Sequence, residues 1–164
     1  MELDSIDSKV LQQLMRQGRI TWAELAGILD LSAPAAADRV RRLEERQVIT
    51  GYAAQVDAEA IGCGLLAYVA VTLERPQHRV TFIDMVQSIP EIQECHHVAG
   101  EDDYWLKVRC RSTRDLERLI SEEIKAIPGI LRTRTTIILS TVKETSALPL
   151  PPVAEDSSKG KERH

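Results

Sequence analysis

Residues 32–52 read SAPAAADRVRRLEERQVITGY, and this stretch decides how the amino-terminal part of the chain is interpreted. Ser32 is a residue that caps helices, and Pro34 suits a first helical turn, where a missing N–H costs nothing. An apolar stripe follows at helical spacing, formed by Ala36, Val40 and Leu43. The pattern predicts one amphipathic helix whose opening turn carries almost no bulk.

Two further helices are predicted before this one. Asp4 or Ser5 can cap the first, and Thr21 opens the second. Glu24 follows Thr21 by three residues, which is the spacing of a capping box. Helix, short turn, helix is the helix-turn-helix pattern, in which the third helix enters the DNA groove. Residues 48–56 then read as a short extended pair that would form a wing.

The candidate DNA-contacting residues lie on the third helix. Small side chains at its start would let the helix approach base edges, while arginines further along would reach phosphates. These residues are Ser32, Ala33, Ala35, Arg39, Arg41 and Arg42. An ordinary solvated helical bundle with a basic face would give the same pattern, so both interpretations stay open at this point.

The charge balance argues against a general binder of polyanions. The net charge is −4, and residues 1–60 hold seven Lys/Arg against ten Asp/Glu, a net of −3. Duplex DNA as a partner must therefore be argued from where the arginines lie and not from their number.

Composition also bears on the compartment. The longest apolar run is too short to cross a membrane, and the start MELDSIDSK lacks the basic and apolar regions of a signal peptide. We therefore expect a cytoplasmic protein without a membrane partner. The three cysteines, Cys63, Cys95 and Cys110, form no CxxC pair, which predicts reduced and mostly buried thiols.

The periodicity changes from helical to alternating after residue 64. The predicted order is strand, helix, strand, strand, helix, strand, and this is the ferredoxin-like split unit. The predicted bounds are 65–73, 80–88, 92–98, 104–110, 112–127 and 131–142. In the first of these helices, Val80, Ile83 and Val86 are predicted to face the sheet. The fold class is thus α+β: a three-helix winged helix-turn-helix domain joined to a ferredoxin-like βαββαβ domain.

The first strand predicts a second copy of the chain. Residues 65–70 are apolar on both faces of the strand and hold no charge. Because helices cover one face of such a sheet, something apolar should cover the other face. A symmetry mate is the simplest cover, so a homodimer is predicted.

The domain boundaries follow from these patterns. Residues 1–56 are predicted to form the DNA-binding domain, 57–64 a linker, and 65–146 the ligand-binding and oligomerisation domain. Residues 147–164 are proline-rich and then polar with mixed charge, which predicts a disordered tail.

From about Leu3 to Thr145, the chain resembles the Lrp/AsnC (feast/famine) family of transcription regulators. The resemblance rests on four stretches: LDSIDSKVLQQLMRQGRI, LSAPAAADRVRRLEERQVITGYAAQVD, AGEDDYWLKV and TRTTIILSTVKE. Gln47 departs from the family, whose members usually have glycine there. We therefore expect Gln47 to end the third helix at a higher backbone cost, or that helix end to be shaped differently.

The resemblance implies a dimer through the carboxyl-terminal domain, often assembled further into tetramers or octamers. It also implies that an amino acid or a similar small effector binds at a subunit interface. The matching positions are Gly100, Asp103, Tyr104, Thr133, Thr135 and Thr136. Asp103 could take an ammonium, while turn N–H groups near Gly100 and threonine hydroxyls could take a carboxylate. A solvated hairpin turn beside an ordinary strand face is the alternative reading of the same residues.

Three functions are consistent with such a chain to different degrees. A regulator of transcription gated by a small effector is favoured, and a chromosome-organising protein with little sequence preference is the alternative. An enzyme using Asp103 with His96 or His97 is disfavoured, because the sequence has no pairing of nucleophile and base. No cofactor is expected. No metal is expected either, because Cys95, His96 and His97 would alternate between strand faces.

Overall fold

The computed structural model describes residues 3–150, which divide into two units. Of these described residues, one unit comprises 3–54 together with 144–150, and the other comprises Gln55–Lys143. The tail predicted for 147–164 lies outside the described residues from 151 onward. Within the described part of that tail, Leu150 packs against the core of the first unit.

The first unit is built from three helices: α1 (Ser5–Arg16), α2 (Trp22–Leu29) and α3 (Ala33–Glu45). Their predicted caps are confirmed: Asp4 accepts the Asp7 N–H at 2.7 Å, and Thr21 and Glu24 form the reciprocal capping box. One apolar core joins all three helices. Its buried members are Val10, Leu11, Leu25, Ala26, Leu29, Ala36, Val40 and Leu43.

The end of α3 has the geometry expected from the departure at Gln47. Gln47 has a φ of 55°, in the left-handed region that glycine adopts most readily. The N–H of Gln47 donates to the Glu44 carbonyl at 2.9 Å, and that of Val48 donates to the Leu43 carbonyl at 2.9 Å. The Gln47 amide also donates to the Glu44 carbonyl at 3.2 Å. A non-glycine residue therefore completes a Schellman-type cap.

The prediction of paired strands at residues 48–56 is wrong, because this stretch forms no β-strand. The N–H groups of Val48 and Ile49 both donate to the Leu43 carbonyl, at 2.9 and 3.1 Å. Donors used in a helix cap cannot take part in a β-ladder.

The second unit is a four-stranded antiparallel sheet with helices on one face, as the ferredoxin-like pattern predicted. Its strands are β1 (Leu65–Leu73), β2 (Ile92–His97), β3 (Tyr104–Cys110) and β4 (Ile130–Ile137), in the spatial order β2-β3-β1-β4. Helix α4 (Arg79–Gln87) follows a 3₁₀ turn at Pro76–His78. Helix α5 (Thr113–Arg118) continues as a π-helical segment, Leu119–Ile124.

Two boundaries of this unit differ from the prediction. β4 ends at Ile137 and not at residue 142, because its partner strand β1 begins at Leu65. The Ile138 N–H donates to the Leu66 carbonyl, near that end of β1. On α4, Phe82 and Val86 are buried while Val80 is exposed. The bulk of Phe82, which fills the centre of the core, sets the rotation of the helix.

Of the three cysteines, only Cys110 is buried, so the prediction of mostly buried thiols is wrong. Cys95 lies on the exposed edge strand β2, and Cys63 is half-buried. Burial raises the pKa of the Cys110 thiol to about 11, with a further contribution from the nearby carboxylates of Glu91 and Asp115.

The face of the sheet away from the helices, which we call the open face, combines apolar and charged residues. Leu66 and Ala70 lie at its centre on β1, and Trp105 on β3 pairs in register with Ala70. Trp105 keeps 48% of its surface exposed although it lies in the middle of a sheet.

No helix among residues 3–150 is long and apolar enough to span a membrane.

Candidate functional site

The turn between α2 and α3 fixes how α3 is presented. Asp30 ends α2 in the left-handed conformation, with a φ of 55°. The following N–H, that of Leu31, donates to the Ala26 carbonyl at 3.0 Å. Only Leu31 and Ser32 separate Asp30 from the start of α3 at Ala33, which gives the short connection of a helix-turn-helix.

The start of α3 is exposed and free of bulk, as predicted. Ser32 caps the helix by accepting the Ala35 N–H at 3.3 Å, and the side chain of Ser32 is exposed. Ala33 and Ala35 are partly exposed beside it. Ser32 presents a small hydroxyl-bearing side chain and the two alanines present methyl groups, so a groove edge can approach this end of the helix closely.

Arg39 is placed differently from the other two predicted arginines. Its guanidinium pairs with Asp4 at the α1 cap and with Asp7 of α1, the latter at 3.1 Å. Asp7 is 6% exposed, so this pair lies at the junction of α1 and α3. Partial burial acts to raise the pKa of Asp4, but the Asp7 N–H and the Arg39 guanidinium outweigh it and lower that pKa. In this arrangement, Arg39 ties two helices together.

Arg41 and Arg42 lie on the outer face of α3, and both pair with the same carboxylate. Arg41 reaches Oδ1 of Asp38 at 2.5 Å, and Arg42 reaches Oδ2 at 2.6 Å. Arg41 also lies 3.3 Å from Glu45. Hydrogen bonds from Arg41 and Arg42 lower the pKa of Asp38. Asp38 was not predicted from the sequence, although its spacing of three and four residues from the arginines is the spacing of helical ion pairs.

The loop before β3 carries the predicted effector residues Gly100 and Asp103. Oδ2 of Asp103 accepts the Leu73 N–H at 2.7 Å, and the Asp103 N–H donates to the Val71 carbonyl at 2.9 Å. Asp103 therefore fastens the loop to the end of β1. At Gly100, apart from its two chain neighbours, no atom of the described residues lies within 4 Å of where a Cβ would stand, so there is open space beside the loop.

Of the remaining predicted effector residues, three lie on one face of the sheet and Thr136 lies on the other. Val71 pairs with both Tyr104 and Thr133, so these two side chains lie in one row on the helix-covered face. Thr135 pairs with Val69 in the next row of that face. Thr136 is adjacent to Thr135 in the chain and therefore points to the open face.

Tyr104 is the most enclosed of the predicted effector residues. It is 3% exposed, and its ring centroid lies 4.6 Å from that of Phe82 and 5.1 Å from that of His97. Within residues 3–150, its buried hydroxyl has no hydrogen-bond partner. A buried hydroxyl without a partner is a site where a ligand or a water can bind.

A charged cluster on the open face was also not predicted from the sequence. Asp102, whose side chain is 4% exposed, accepts from Arg134 at 2.6 Å, from Thr72 at 3.2 Å and from Arg132 at 3.4 Å. The loop is thus held to β1 and β4 by two consecutive carboxylates. The alternation of Arg132 and Arg134 along a strand was the available signal, because it places both on one face.

Both units match family models. Residues 3–50 match the winged helix-turn-helix DNA-binding model, and residues 66–148 match the Lrp/AsnC ligand binding domain. The chain is 38% identical over 150 residues to the leucine-responsive regulatory protein of Haemophilus influenzae, covering 90% of each chain.

Solved structures agree with these matches. A complex of a Neisseria meningitidis transcriptional regulator with L-methionine superposes with a TM-score of 0.88 at 28% identity, covering 90% of this chain and 97% of that one. A feast or famine regulatory protein from M. tuberculosis, also complexed with L-methionine, gives a TM-score of 0.84 at 40% identity. That match covers 92% of this chain and all of the other.

Proposed function

Because the chain belongs to the Lrp/AsnC family of transcriptional regulators, we propose that it recognises particular duplex DNA sequences through α3. We propose further that an amino acid bound beside the loop at residues 100–103 modulates this recognition. As a member of this family, the chain is a transcriptional regulator and not an enzyme.

The exposed start of α3 is the observation that carries the DNA proposal. Ser32, Ala33 and Ala35 offer an unobstructed end of the helix, and Arg41 and Arg42 stand on its outer face further along. The start of α3 would read base edges, and Arg41 and Arg42 would contact phosphates. The alternative of a chromosome-organising protein with little sequence preference is disfavoured by the net charge of −3 over residues 1–60.

The effector proposal rests on the loop and on the first row of the helix-covered face. The hydrogen bond to Leu73 orients the Asp103 carboxylate through Oδ2, so Oδ1 can accept from an ammonium group. Gly100 leaves open space beside the loop, and Tyr104 and Thr133 supply hydroxyl groups in one row. Thr135 lies in the next row of the same face, whereas Thr136 belongs to the open face and lies outside the proposed ligand set. L-methionine in the two related structures makes methionine and leucine the first amino acids to test.

The proposal includes a homodimer formed through the open face of the sheet. Tyr68 and Trp105 approach each other there, with ring centroids 6.3 Å apart, around the apolar centre at Leu66 and Ala70. A second copy related by a twofold axis would bury these rings and would set the spacing of two α3 helices. Substituting Trp105→Glu should convert the dimer to monomer in light scattering, and an unchanged mass would contradict this arrangement.

The experiment that tests the function has two stages. Genome-wide mapping of bound DNA supplies a selected site, and competition between that site and random duplex then measures sequence preference. Equal affinity for both would favour the chromosome-organising alternative.

The second stage asks which ligand binds and where it binds. A thermal-shift screen with L-leucine and L-methionine should raise the melting temperature of the wild type. Asp103→Asn should lose this rise, and Thr136→Val, on the opposite face, should keep it. A full response in Asp103→Asn would place the ligand elsewhere.

A further inference from the structure

The outer face of α3 carries a carboxylate, Asp38, between the two arginines that the proposed function assigns to phosphates. The buried stripe of α3 is Ala36, Val40 and Leu43, and Asp38 lies on the other side of the helix together with Arg41 and Arg42. A carboxylate on that side faces phosphates whenever the helix lies in a groove, and like charges repel.

Asp38 binds the two arginines by separate oxygens. Oδ1 holds Arg41 at 2.5 Å and Oδ2 holds Arg42 at 2.6 Å, while the arginine side chains remain 64% and 55% exposed. Both guanidiniums are therefore open to an incoming phosphate but already engaged. A phosphate must compete with Asp38 for each of them.

We propose that Asp38 is a selectivity residue, which weakens binding to random DNA by occupying the two arginines that would otherwise contact phosphates. The inference rests on the proposed function, because it assumes that α3 is the reading helix. Non-specific binding depends almost entirely on phosphate contacts, so it bears the full cost of displacing Asp38. At a correct site, base contacts hold the helix with fewer phosphate contacts, so less of the Asp38 pairing has to be displaced. The specific complex then bears a smaller part of the cost, and selectivity increases.

Arg39 differs from Arg41 and Arg42, because its carboxylate partners do not lie on the outer face of α3. Its partners, Asp4 and Asp7, lie on another part of the unit, and its side chain is only 25% exposed. Phosphates have less access to Arg39, so an acid beside it would have little effect on DNA binding. The acid that matters for selectivity is the one paired with exposed arginines.

Glu45 supplies a matched control. It lies on the same helix, carries the same charge and contacts one of the same arginines, but only at 3.3 Å and only through Arg41. Asp38→Asn and Glu45→Gln each remove one negative charge from α3. Any effect of overall charge will therefore appear equally in both variants.

The experiment measures the affinity of the intact protein for the genomically selected site and for a random duplex of equal length, at several salt concentrations. In Asp38→Asn, the affinity for random duplex should rise about tenfold. The slope of log affinity against log salt concentration should steepen by the amount expected for about one to two additional phosphate contacts. Affinity for the selected site should rise less, so the ratio of the two affinities falls. In Glu45→Gln, both affinities should shift together, and the ratio should stay at the wild-type value.

Each contrary result has a distinct meaning. If the ratio in Asp38→Asn equals that in Glu45→Gln, Asp38 acts only through net charge and the inference fails. If affinity for the selected site alone falls, Asp38 reads a base as a hydrogen-bond acceptor, and the inference also fails. If the wild type binds neither duplex at low salt, the proposed function itself is wrong.

Discussion

Two arginine–carboxylate clusters, one in each unit of this chain, serve different purposes. In the helical unit, Arg41 and Arg42 pair with Asp38 on the exposed face of one helix, where solvent and ions have access. In the sheet unit, Arg134 pairs with Asp102, a carboxylate that is only 4% exposed and that belongs to a different element. Pairs along one helix contribute little to stability and can be exchanged for a ligand, whereas a pair that joins two elements holds a loop in place.

The two units have separate hydrophobic cores. Each unit also contains one tryptophan, which lies outside its core. The sheet core has fourteen buried members and the helical core has eight, so we expect the sheet unit to be the more stable. Trp22 lies in the helical unit and Trp105 in the sheet unit. A variant that keeps only one tryptophan therefore reports the unfolding of one unit by fluorescence.

The largest expected effect comes from Phe82→Ala. Phe82 is fully buried in the sheet core, and its truncation should lower the free energy of unfolding of that unit by about 3–5 kcal/mol. Denaturation of a Trp22→Phe protein follows the change through Trp105. The transition reported by Trp22, in a Trp105→Phe protein, should not move.

Equal losses in both transitions would mean that the two units unfold together, which would contradict this prediction. Phe82→Leu keeps most of the buried volume and serves as the milder variant if Phe82→Ala does not fold.

The next effect distinguishes the arginines of α3. Arg39→Ala should destabilise the helical unit by about 1–2 kcal/mol, because it removes charge-assisted hydrogen bonds to Asp4 and Asp7 at a half-buried junction. Arg42→Ala should change stability by less than about 0.5 kcal/mol. The same Arg42 variant should flatten the salt dependence of DNA binding by about one contact. Denaturation and binding measurements on both variants test this contrast, and reversed effects would contradict it.

A smaller effect, of opposite sign, is expected at the end of α3. Gln47→Gly should stabilise the helical unit by about 0.5–1 kcal/mol, because glycine adopts the left-handed conformation of this residue at lower cost. The gain should appear in the Trp22 transition alone. Arg46→Gly, one residue earlier and with a φ of −80°, is the control and should not stabilise the unit.

The smallest effect is a dependence on pH in the helical unit. The folded-state pKa of Asp4 is below its usual value of 3.8, so its ionised form favours folding. This contribution is fully present above pH 3.8 and is lost as the pH falls through the lower folded-state pKa. Because the side chain of Asp4 is 49% exposed, we expect less than about 0.5 kcal/mol. Denaturation of wild type and Asp4→Asn between pH 5 and pH 2.5 should show this loss only in the wild type.

Local patterns in the sequence predicted most of the secondary structure. Caps at Asp4, Thr21 and Ser32 confirm the starts of α1, α2 and α3, because a cap depends only on residues three positions apart. The order of strands and helices in the second unit also followed from periodicity. The end of β4 and the rotation of α4 did not, since they depend on where β1 begins and on how Phe82 fills the core.

The sequence by itself determined the helical and strand spacing from which DNA contacts on α3 are predicted, and it carried the family resemblance from which the effector contacts are predicted. Only the tertiary structure decided what each side chain is engaged in. Arg39 pairs with residues more than thirty positions away, and Asp102 reaches two arginines on a strand that lies thirty positions further along the chain. Such partners are brought together by the packing of whole elements, and no local spacing encodes them.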